Sequence, residues 1–78
     1  MSDVSVELDR LQAAYKAAVE TWIAAIKEEE ALVYVAAESI EKVDKWEDAH
    51  FREDDARNKV IELKRRYEDA LREKFFNF

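Results

Sequence analysis

Three carboxylates and one imidazole are the residues whose types and spacing could do chemistry in this chain. His50 is its only histidine, with Glu47 three residues before it and Glu53 three after. At that spacing a helix brings all three towards one face. Glu29 stands apart, between Ile26 and Val33 in an otherwise apolar pattern. Imidazole nitrogen and carboxylate oxygen together suit Zn, Mn or Fe. The plainer account is that an apolar stripe turns polar here, Glu29 and Glu53 reaching water or pairing with Lys27, Arg52 or Arg57.

Glu47-Asp48-Ala49-His50 has the form E-x-x-H. In this it resembles the carboxylate-bridged di-iron and di-manganese helical bundles, which add a glutamate from each neighbouring helix. The resemblance rests on these four residues and Glu29. It implies a di-metal site, holding Fe, Mn or Zn, built from Glu29, Glu47, His50 and Glu53 of two paired chains.

Other catalytic constellations are missing. The chain has no cysteine, hence no thiol nucleophile, and no glycine to build a phosphate-cradling loop. Ser39 has no evident base partner. The leading expectation is therefore a non-catalytic, cofactor-free module acting through protein contacts, with the metal-binding bundle as the alternative. Its candidate contact residues are Tyr34, Val35, Ile40, Trp46 and Phe51. They lie within or near residues 31–37, the longest unbroken apolar run. Exposed clusters of this kind, with tyrosine and tryptophan, have the character of interface anchors. At the end of the chain, Phe75-Phe76-Asn77-Phe78 should fold back beside Val4, Val6 and Leu8, with Phe75 and Phe78 sealing the core.

The elements that position these residues are helices. Neither glycine nor proline occurs, which removes the punctuation of hairpins and long loops and is also compatible with an engineered sequence. Leu8, Leu11, Tyr15, Val19, Trp22, Ile26 and Val33 form one stripe at helical spacing. Ala13, Ala14, Ala17, Ala18, Ala24 and Ala25 flank it, so more than half the circumference is apolar. A surface helix needs only about a 100° stripe. Trp46, Ala49, Ala56, Val60, Leu63, Tyr67, Leu71 and Phe75 form a second stripe. Continued as one rod, the two stripes would point to opposite sides, so the chain must reverse between residues 34 and 44.

Ser39 or Asp44 can cap the second helix, the latter in a D-x-x-E box with Glu47. Acids are unfavourable in a helix's last turn, so Glu28-Glu29-Glu30 predicts a first helix running past Ala31. The expectation is an all-α antiparallel hairpin, one domain, with helices near 5–36 and 40–75. Folding back near residue 38 pairs residues whose numbers sum to about 76. One seam cannot cover the alanine flank, so dimerisation into a four-helix bundle is expected; a three-helix bundle with a second break near residue 52 is the alternative. A net charge of −6 disfavours nucleic acid as partner. No apolar run approaches a membrane span, and the opening residues lack a signal-peptide pattern, so a cytoplasmic setting is the simplest expectation.

Overall fold

The two stripes fold as two long helices. In the computed structural model, α1 spans Asp3–Val33 and α2 spans Ile40–Phe76, joined by a single 3₁₀ turn over Ala36–Glu38. The structure describes residues 3–76, with the side chains of residues 6–76. The pairing of the Val4 side chain and the sealing role expected of Phe78 lie outside what is described. α2 runs unbroken through residue 52, so the expected alternative of a third helix is absent among the described residues.

α1 runs past Ala31, as the acidic triplet suggested, and ends at Val33, short of the expected residue 36, which leaves Glu30 in its last turn. The other two acids of the triplet are met from across the seam. Arg52 donates to the Glu28 carboxylate and His50 faces Glu29, so cations and polar groups of α2 meet these acids. The reversal also manages without glycine. Val35 donates its N–H to the Leu32 carbonyl at 3.2 Å, and Glu38 to Val35 at 3.0 Å. Val35 (φ −115°) and Ser39 (φ −166°) both stay in ordinary backbone regions.

Of the two possible start signals, Ser39 is the one used. Its Oγ accepts the Lys42 N–H at 3.2 Å and its carbonyl accepts the Val43 N–H at 3.0 Å. That is N-cap geometry, satisfying donors that a helix start leaves open. Asp44 lies one turn inside α2.

The seam is thin. Leu8, Ala49, Val60 and Leu63 are the described residues that are buried. Val6, Ile23, Ile26, Val33 and Ile61 stay largely exposed although they are large and apolar. Phe75, expected to close the core, is 66% exposed and lies under the Lys74 ammonium, 5.2 Å from its ring centre. The molecule is a rod of 58 × 18 × 13 Å, one helix thick. Its radius of gyration is 17.4 Å, against about 11.5 Å for a compact chain of this length. No helix among the described residues is long and apolar enough to cross a membrane.

Candidate functional site

Glu29 and Glu53 interrupt the two apolar stripes, and antiparallel packing sets these interruptions against each other. Ala49, only 1% exposed, lets the helices approach closely one residue before His50. The His50 ring then faces α1, its Nδ1 3.2 Å from Glu29 Oε1. Glu53 comes from the next turn of α2. One ligand-type atom from each of Glu29, His50 and Glu53 lies within 4.8 Å of the other two.

The carboxylates are set into the seam. The Glu53 side chain is 12% exposed and that of Glu29 22%, while that of His50 is 44% exposed. Buried charge needs partners, and Glu53 has two. Trp22 donates its indole N–H to Glu53 Oε2 at 2.8 Å, and Arg57 Nε approaches the same oxygen to 3.6 Å. Arg57 also hydrogen-bonds Asp54 through Nη2. The Asp54 hydrogen bond, and next the charge of Glu53, hold the Arg57 guanidinium above its ordinary pKa. It is a fixed cation at the edge of the cluster. A carboxylate has about four lone-pair sites, so the two contacts leave Glu53 with capacity to bind more.

Aromatic rings fix the imidazole from the other side. Trp46 stacks on His50 with ring centres 5.6 Å apart and planes 16° apart, and Phe51 lies at 5.7 Å in a tilted arrangement. Trp46 Nε1 is buried without a hydrogen-bond partner among the described residues.

Sequence spacing placed Glu47 in this group, and the structure does not: Glu47 is exposed and outside the cluster. On α2 the residues brought together are His50 and Glu53, spaced H-x-x-E, rather than the E-x-x-H pair of Glu47 and His50. Trp22, by contrast, reads as plain core in the sequence, yet it orients Glu53. The signal for it was available, since a buried indole N–H needs an acceptor and the register puts Trp22 opposite residue 54.

The five candidate contact residues divide. Tyr34 and Ile40 are exposed at the hairpin tip, at 79% and 81%, and Phe51 is exposed on α2. Val35 is half-buried in the turn, and Trp46 is half-buried against His50. A second apolar surface runs along the middle of the rod. Ala14, Ala17, Ala18, Ala24 and Ala25 of α1, with Ala56 and Leu63 of α2, line an open groove edged by Glu28, Arg52, Asp55 and Lys59. Compared with known proteins, the chain matches no protein family, no curated protein and no solved structure.

Proposed function

We propose that the chain is a non-catalytic protein-interaction module that works through its helix faces in the cytoplasm. Its first occupant is a second copy of itself, joined along the alanine groove as a four-helix bundle. The observation that carries this reading is surface area. The chain exposes 6028 Å², whereas a compact monomer of 9.2 kDa would expose about 4,900 Å². The excess is comparable to the roughly 800 Å² that each partner contributes to a standard interface.

Two features favour a second copy over an unlike partner. The small side chains lining the groove allow another helix to come close. The groove's edge carries Glu28 and Asp55 beside Arg52 and Lys59, and a patch that meets itself about a two-fold axis needs both signs. Tyr34 and Ile40 at the tip, with Phe51, Val35 and Trp46, are then the anchors left for another protein.

Light scattering on an eluting size-exclusion peak tests the assembly. The expected mass is twice that of the chain, and the double variant Ala17→Arg/Ala24→Arg should return it to one chain. Both alanines are exposed in the single hairpin, so the arginines create no clash within it. A helical monomer for the unmodified chain would overturn the self-pairing. A dimer that survives both arginines would overturn the groove as its interface.

A further inference from the structure

We propose that Glu29, His50 and Glu53 bind one divalent transition-metal ion per chain, with Zn²⁺ the ion best suited to the donors. This site is independent of self-pairing, because all three ligands come from a single hairpin.

The geometry is close to what a metal needs. His50 Nδ1 and Glu29 Oε1 are 3.2 Å apart. An ion about 2.1 Å from each would subtend an angle of about 99° at the metal. That lies between octahedral and tetrahedral values. The widest separation among the three ligand atoms, within 4.8 Å, exceeds by less than about 1 Å what one ion can span. A small rotation of the Glu53 side chain closes that gap.

The surroundings favour a cation. Two carboxylates lie in the seam beside one guanidinium, and that guanidinium is committed to Asp54. Its 3.6 Å approach to Glu53 is too long for a hydrogen bond, so the Arg57 Nε does not take up a lone pair of that carboxylate. The Trp22 N–H on Glu53 Oε2 and the Trp46 ring on His50 orient two of the ligands, as outer-shell partners do in metal sites. The half-exposed edge of His50 gives the ion an entry path. Three protein ligands leave at least one coordination position to solvent.

Titration of the purified full chain with Zn²⁺, by calorimetry and by thermal melting, tests the site. The expected result is one ion per chain. The melting midpoint should rise by roughly 15 °C at a hundredfold excess over Kd. His50→Gln and Glu29→Gln should each weaken binding at least about tenfold, while Glu47→Gln leaves it unchanged. Circular dichroism of each variant separates lost binding from lost folding. In the unmodified chain, Mn²⁺ should broaden the His50 ring resonances ahead of other side chains, which requires no variant. Absence of heat with an unmoved midpoint would overturn the proposal. So would binding that survives His50→Gln and is displaced equally well by Ca²⁺, because exposed carboxylates alone would then be responsible.

Discussion

Trp22 and Glu53 meet across the seam, and their contact is the most consequential single pairing in the molecule. A neutral donor holds a largely buried carboxylate at 2.8 Å, and hydrogen bonds to charged groups contribute about 1.5–3 kcal/mol. Trp22→Phe should therefore lower stability by about 1.5 kcal/mol or more in urea denaturation. Glu53→Gln, which retains a carbonyl acceptor, should cost clearly less. Equal losses would mean that the negative charge of Glu53, and not merely an acceptor for the indole N–H, is what the pairing needs. Half of this pair was legible in the sequence: a glutamate within an apolar stripe calls for a partner. Which partner it finds was only partly legible: the expected register puts Trp22 opposite residue 54, but Arg57 on the same helix was an equally good candidate, and packing brings both to Glu53.

At the scale of elements, the reversal is where local chemistry decides most. Ser39 caps α2 through its hydroxyl, in a turn free of glycine. Ser39→Ala should cost about 1 kcal/mol and Ser39→Gly only a few tenths. Asp44→Ala, one turn inside the helix, should change stability by less than about 0.5 kcal/mol. A reversed order would move the start of α2 to Asp44. The end of α1 was harder to read. The dipole argument applied to Glu28-Glu29-Glu30 carries α1 past Ala31, as the structure has it, but being local it does not fix the last residue, which is Val33. On the outer face of α2, Arg66 pairs with Glu62 four residues before it, while Arg72 pairs with Asp69 three before it. Such exposed pairs differ by only tenths of a kcal/mol.

The whole molecule is a ribbon one helix thick, so its apolar faces are covered only if something lies against them. If that something is a second copy, folding and association are one equilibrium. A tenfold increase in chain concentration should then raise the melting midpoint by about 4 °C. A midpoint independent of concentration would mean that the hairpin stands alone. The tip residues Tyr34 and Ile40 belong to this scale as well, since their exposure follows from the reversal itself and not from either helix.

Much of this architecture is local and could be read without coordinates. Helical periodicity, two stripes out of phase, a serine at the reversal and two glutamates within the stripes are properties of short windows of sequence. The composition of the cluster is different. Residues three before and three after His50 sit about 60° to either side of it on a helix, so Glu47 and Glu53 are equivalent by spacing alone. Packing breaks the tie: with Ala49 seated against α1, Glu53 turns into the seam towards Glu29 and Glu47 turns to solvent. Periodicity specifies angles about one helix axis, and only the neighbouring helix determines which of those angles faces inward.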